Sequence, residues 1–288
     1  RFGIPTLRLN GSTGGGTFKL QELYASLGAD QTIRCFGEVE TVAPFAYQLD
    51  ADVRFSKLDS IQSFLEQAGF AGRLSGGVDA AWKGSGKLAD FSGSGEWKLH
   101  GKNIQWKSLK LEYIDFEGAY SPGQLRAHIA QVAGPNARLS AEVAWCKNTL
   151  QLSNISLRQK GSEVLSGEVR LPLTRDSEGT HWVKDGLIDG ALSGSKIDLS
   201  TVVPSLDGKP VLTGSLGLSL TLSGTAESPV ANFRASGRSL RSVHYPGLSD
   251  CELDLNGRYA SGTLHSEAEF SGPLGAPLRV QGMAVVDL

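Results

Sequence analysis

Five histidines, three cysteines and thirty carboxylates are the side chains with which this sequence could build acid–base, nucleophilic or metal chemistry. His100, His128, His181, His244 and His265 show neither HxxxH nor HExxH spacing, the pattern that turns two imidazoles toward one zinc ion. Cys35, Cys146 and Cys251 lie far apart without a CxxC pair. They read as small apolar fillers rather than a zinc knuckle or disulfide framework, with a single Cys146–Cys251 bridge left open. The run GSGK at Gly84–Lys87 lacks the glycine spacing of a phosphate loop and has Leu88 where Ser or Thr would meet magnesium. No GxSxG elbow occurs, and the carboxylates are dispersed, so only strands converging from a distance could pair two of them as glycosidases do. Trp82, Trp97, Trp106, Trp145 and Trp182 could stack sugars, but Trp97 and Trp106 flank an expected hairpin and pack more simply across strands. The expectation is a chain that is not an enzyme, with no catalytic residue, metal or cofactor.

Charge narrows the partners further. Lys and Arg number 28 against 30 Asp and Glu, scattered singly, which removes the electrostatic footprint of nucleic acid binding. A polybasic membrane patch is absent as well. No run approaches the roughly 18 apolar residues of a spanning helix. Arg1 at the start and Met283 as the only methionine read as a piece of something longer.

What positions any site is a β framework. Glycine is in excess, 36 of 288 residues, and recurs at the edges of alternating apolar runs, which reads as tight turns between short strands. GSLGLSLTLSG places Leu216, Leu218, Leu220 and Leu222 on every second residue with only Gly, Ser or Thr between. In a strand these four share one face. Leu150, Leu152, Val169, Leu171, Leu253 and Leu255 alternate in the same way. Such an apolar face needs a cover: a second sheet, the next coil of a β-helix, or lipid.

Self-comparison organises the chain. The run Leu58–Ala144 recurs over Ile197–Val285 at a nearly constant offset: Asp59 matches Asp198, Gly76 matches Gly214, and Gly118, Tyr120 and Leu125 match Gly257, Tyr259 and Leu264. We divide it into lead-in strands at 1–52, a β-module at 53–146, linking strands at 147–191 and a second β-module at 192–288. Each module opens with apolar residues at helical spacing. Leu58, Ile61, Leu65 and Ala68 predict about three turns, N-capped by Ser56 or Asp59. Ile197, Leu199, Val202 and Val203, cut by Pro204, predict a shorter helix. FKLQELYASLG, Phe18–Gly28, reads as a third copy of that helix, and Thr174–His181 as an exposed polar loop.

Three stretches carry a resemblance: Leu212–Leu240, Gly262–Leu288 and Asn148–Leu173. A helix ending in Gly or Pro, followed by alternating leucines, G-(T/S)-x-x-x-P and a closing G-x-P-x-x-x-x-G, resembles the AsmA-like and TamB families of Gram-negative envelope proteins. The pattern covers most of the chain after about Val53. It implies an all-β fold: an elongated, curled antiparallel sheet of repeated modules, each with one short helix, forming an open apolar groove in the periplasm. It implies phospholipid movement between inner and outer membranes, or outer-membrane assembly with a barrel partner, and an inner-membrane anchor in the full-length protein. Candidate groove-lining positions are then Leu216, Leu218, Leu220, Leu222, Leu253, Leu255, Leu150, Leu152, Val169 and Leu171, in contact with phospholipid acyl chains. The alternative is a structural or adhesive β-repeat scaffold without lipid cargo.

Overall fold

Where apolar and polar residues alternate, the chain forms strands, and nearly all of it does. The computed structural model describes residues 6–28, 30–62, 66, 72–87, 92–106, 109–132, 137–176, 179–202, 205–206, 209–242, 250–273 and 275–285. It divides into two units, 1–132 and 133–288. The first is a meander of eight strands: β1 (Thr6–Gly14), β2 (Thr17–Gly28), β3 (Gln31–Glu40), β4 (Ala46–Phe55), β5 (Leu74–Lys87), β6 (Ser92–Trp106), β7 (Leu109–Ser121) and β8 (Gln124–Val132). Each pairs antiparallel with the next.

The second unit runs β9 (Ala137–Cys146), β10 (Thr149–Gln159), β11 (Ser162–Leu171), a side hairpin of β12 (Leu173–Asp176) and β13 (Gly179–Trp182), then β14 (Asp189–Asp198). A two-residue pair, β15 (Ser205–Leu206) and β16 (Lys209–Pro210), precedes β17 (Leu212–Gly224), β18 (Pro229–Ser242), β19 (Cys251–Ala260), β20 (Thr263–Ser271) and β21 (Leu278–Val285). Its ladder is β9-β10-β11-β14-β17-β18-β19-β20-β21, antiparallel throughout. Among the described residues β1 pairs only with β2 and β21 only with β20, so neither ladder closes on itself.

Bulges keep the apolar residues on one side. Gly76 and Gly214, aligned by the sequence repeat, both sit at positive φ, 112° and 117°, and face Asn103 and Ser239, each at φ 50°. The extra residue resets the alternation, so Gly101 and Ile104, three apart, both point to the apolar face. A side chain on Gly76 would stand 2.5 Å from the Asn103 carbonyl oxygen, which is why only glycine fits there.

Phe18–Gly28 is strand β2, not a helix. The ladder slips by one residue between Leu20 and Leu23, so Phe18, Leu20, Leu23 and Ala25 share a face at a spacing that imitates helical periodicity. The Leu58 segment begins as a 3-10 turn, Leu58–Ile61, with Lys57 at the N-cap position and no side-chain cap, so neither Ser56 nor Asp59 caps it. Leu65 and Ala68 lie outside the described residues. Its counterpart is one turn, Leu199–Val202, because Ile197 is still pairing with Leu216 in the ladder; Val203 and Pro204 lie outside the described residues. Thr174–His181 belongs to the β12–β13 hairpin rather than a loop, with residues 177–178 outside the described set.

Deeply buried side chains gather where these turns pack, Leu58, Ile61, Ile104 and Leu111 in the first unit and Ile197 and Leu199 in the second, while Ile188 is buried at the other end of β14, where its N–H donates to the Gly224 carbonyl. Two amides anchor the turns. Gln31 and Gln159 are each 4% exposed. Gln31 Nε2 donates to the Lys57 carbonyl at 3.3 Å, and Gln159 Nε2 to the Asp198 carbonyl at 3.0 Å, while Gln159 Oε1 accepts from the Asp198 N–H at 2.7 Å.

Asp198 caps its turn, accepting from the Ser200 N–H at 3.1 Å and hydroxyl at 2.6 Å. The Ser200 hydroxyl is the main cause holding this carboxyl below its usual range, with Lys160 adding a smaller part. A carboxyl that binds its proton less readily when folded stabilises the fold above its unfolded pKa, and that contribution fades as pH falls through the folded value. Ser200→Ala should therefore cost about 1 kcal/mol at neutral pH, with the gap to the parent closing below about pH 4. Paired thermal melts at neutral and acidic pH read this; a pH-independent gap would place the effect elsewhere.

Candidate functional site

Register decides whether alternating residues on separate strands meet. Residues directly opposed in an antiparallel ladder point the same way. Leu150 opposes Leu171, and Leu152 opposes Val169. Val169 opposes Gly190, and Gly190 opposes Leu222. Leu218 opposes Ala235, which opposes Leu255, and Leu216 opposes Gly237, which opposes Leu253. Leu220, on the same side of β17, opposes Leu192 and Phe233. All ten expected positions thus occupy one face of the second unit. The reverse face carries Ser219, Thr221, Asn232, Arg234, Asn256, Arg258 and Glu267.

That face is uncovered. Val169 is buried, and the other nine are only half-buried. No large side chain among the described residues is fully enclosed. The accessible surface is 18057 Å². Two separate compact globules of about 15 kDa each would together expose roughly 14,000 Å². A second sheet or a β-helix coil would have enclosed these leucines; neither is present among the described residues.

Glycine does more here than make turns. The Phe233 ring lies where a Cβ of Gly257 would stand, the Trp82 ring over Gly84, and the Trp97 ring over Gly118. These glycines are in strand interiors, so the sequence expectation of glycine as turn former is corrected. The rings lie along the sheet, giving the apolar face low relief. Trp97 and Trp106 both belong to β6, so no hairpin lies between them; Trp97 opposes Trp82 and Gly118 and lies 6.3 Å from Phe116. Trp182 is 53% exposed on the β12–β13 hairpin.

The first unit has the same two-sidedness. Leu23, Cys35, Ala51 and Trp82 oppose one another in turn on its apolar face. Burial, followed by the Asp50 carboxylate, pushes the Cys35 thiol above its ordinary pKa. Cys146 is exposed and unbridged, which removes the Cys146–Cys251 disulfide. Maleimide should therefore modify Cys146 first, with Cys35 reacting more slowly and its rate rising only at a pH above that of an ordinary thiol. Mass spectrometry of timed samples across pH reads both rates; equal rates would mean that half-burial gives the Cys35 thiol no protection relative to Cys146.

Sequence reasoning missed a concavity on the charged side. Tyr24, Arg34, Asp52, Arg54, Asp79, Lys98 and His100 surround about 850 Å³. The floor is low because Ala81 stands among long neighbours. Arg34 stacks over Tyr24 at 5.5 Å, Arg54 Nε reaches Asp79 at 3.1 Å, and His100 bonds Asp115. Three cations, Arg34, Arg54 and Lys98, balance three carboxylates, Asp30, Asp52 and Asp79, so the cleft suits hydroxyl-rich or zwitterionic groups rather than polyanions. The only sequence signal is alternation of both charge signs along β3 to β6. Among the described residues no cluster of three or more His, Cys, Asp or Glu could hold a metal ion, and no helix is long and apolar enough to cross a membrane. Compared with known proteins, the chain matches no family, no curated protein and no solved structure.

Proposed function

We propose that this chain is a segment of a cell-envelope protein that carries phospholipid acyl chains along an apolar sheet face. The observation that supports this most is the convergence of ten alternating aliphatic residues on one uncovered face of the second unit. Exposing an acyl chain to water costs about 0.8 kcal/mol per methylene, roughly 12 kcal/mol for sixteen carbons. A path through an aqueous compartment must then be apolar without interruption. Strands in register provide such a path, and the internal repeat provides a way to lengthen it. The resemblance to AsmA-like and TamB proteins points the same way: to an open groove made of helix-led modules, a periplasmic location with an inner-membrane anchor in the full-length protein, and lipid transport or outer-membrane assembly beside a barrel partner.

Native mass spectrometry and lipid extraction of the gently purified chain test the reading. Co-purified phospholipid at near-stoichiometric level is expected. Lipid-free protein that also fails to take up a fluorescent phospholipid from vesicles would sink it. The second reading, a scaffold without lipid cargo, is favoured by the charged concavity of the first unit, which would serve as its ligand face.

A further inference from the structure

Charge pairing across the middle strands of the first unit is interrupted at one residue. On the charged face of β4 stand Asp50, Asp52 and Arg54, and directly opposite them on β5 stand Lys83, Ala81 and Asp79. The two outer positions close as ion pairs, Lys83 with Asp50 at 3.9 Å and Arg54 with Asp79 at 3.1 Å. The middle one does not, because Ala81 has no charge to offer Asp52, nor Lys98, which faces it from β6. Arg34, on the outer side of Asp52, is stacked over the Tyr24 ring. Among the described residues Asp52 and Lys98 form no ion pair, with each other or with the neighbours on their outer sides, Arg34 and Glu117. Asp52, Ala81 and Lys98 all line the concavity of about 850 Å³, an anion on one side of the alanine and a cation on the other.

Those two charges select the ligand. Adjacent strands lie about 4.8 Å apart, so Asp52 and Lys98 are anchored about 10 Å from each other across β5. A charge-assisted contact of about 2.8 Å at each end leaves about 4 Å between the ligand's own charges. A polyanion would lie against Asp52 and a polycation against Lys98, each beside a like charge. A neutral polyol would leave both without a counter-ion. We propose that Ala81 is the floor of a binding site for a compact zwitterion, whose ammonium group pairs with Asp52 and whose phosphate or carboxylate pairs with Lys98. Phosphoethanolamine and the α-amino acids have this chemistry. The site lies on the reverse of the sheet from Trp82, so the inference is independent of lipid carriage by the apolar face.

Asp52, Ala81 and Lys98 are exposed, so polar substitutions there leave the fold intact. Solvated ion pairs hold a ligand weakly, in the millimolar range. An amide chemical-shift titration of the isotope-labelled chain with O-phosphoethanolamine should give saturable shifts centred on Ala81. Ethanolamine and inorganic phosphate, each with one of the two charges, should bind at least about fivefold more weakly. Asp52→Asn should erase the advantage of phosphoethanolamine over phosphate, and Lys98→Gln its advantage over ethanolamine; the same spectra report that each variant is folded. Flotation with phosphatidylethanolamine vesicles that both variants abolish would assign the zwitterion to a lipid headgroup, and binding of the soluble compound without flotation would assign it to a free molecule. No saturable shift up to about 100 mM, equal binding of all three compounds, or variants that bind like the parent would each overturn the proposal.

Discussion

Leu218→Asp should strip phospholipid from the purified chain while leaving it folded. Leu218 lies in β17, in the middle of the second unit's apolar face, between Gly194 and Ala235 on the neighbouring strands. Those small neighbours and its half-buried state leave the new carboxylate a route to water, so the ladder keeps its backbone hydrogen bonds at a cost of about 1–2 kcal/mol. Against hydrocarbon the same carboxylate is desolvated with nothing to pair it, a penalty of several kcal/mol. Lipid occupancy should fall at least about tenfold, each 1.4 kcal/mol being a factor of ten. Ser219→Asp is the control: one residue away, exposed, on the opposite face, it should retain lipid. Lipid per protein by mass spectrometry, with far-ultraviolet circular dichroism on the same samples, separates the outcomes. If Leu218→Asp unfolds the chain, the leucines are enclosed core. If lipid persists in a folded mutant, the acyl chains lie elsewhere.

Much of this architecture was legible because face alternation is local. Leu216 to Leu222 fix their own side whatever surrounds them, and so do Leu150 with Leu152 and Leu253 with Leu255. That these sets land on the same side depends on pairing, which turns and bulges set and a single strand cannot reveal. β2 shows the failure: one slip between Leu20 and Leu23 turns a strand spacing into a helical one. Gln31 and Gln159 gave no signal, since each holds a backbone carbonyl 26 or 39 residues away. The glycine excess reads as turns, and composition does not show that Gly84, Gly118 and Gly257 lie under rings in strand interiors. The charged concavity was invisible for a related reason: alternating Arg, Asp and Lys normally mark a solvated face, and only the register that sets Ala81 between Asp52 and Lys98 makes it hollow.

Glycine carries the largest stability effect expected in the first unit, at Gly37. Its φ is +143°, a region side chains rarely adopt, and a Cβ there would run into the Gln48 carbonyl oxygen and stand 2.9 Å from Leu49 Cα. Both obstacles are backbone of β4, the strand paired directly across, so no side-chain rotation relieves them. Gly37→Ala should lose at least about 3 kcal/mol, strain of 1–3 kcal/mol at the residue plus the displacement of β4. Two other glycines separate the causes. Gly123 is at φ +69° with nothing near its missing Cβ, so Gly123→Ala carries backbone strain alone, about 1–2 kcal/mol. Gly167 has ordinary φ, but its Cβ would meet the Ala191 carbonyl oxygen and stand 2.9 Å from Leu192 Cα, so Gly167→Ala carries the steric part alone, in the second unit. Urea melts should rank Gly37→Ala as most destabilised, with Gly123→Ala the mildest. A Gly37→Ala chain no weaker than Gly123→Ala would mean that β4 yields by a few tenths of an ångström, and that the close approach of β3 and β4 is permitted by glycine rather than required of it.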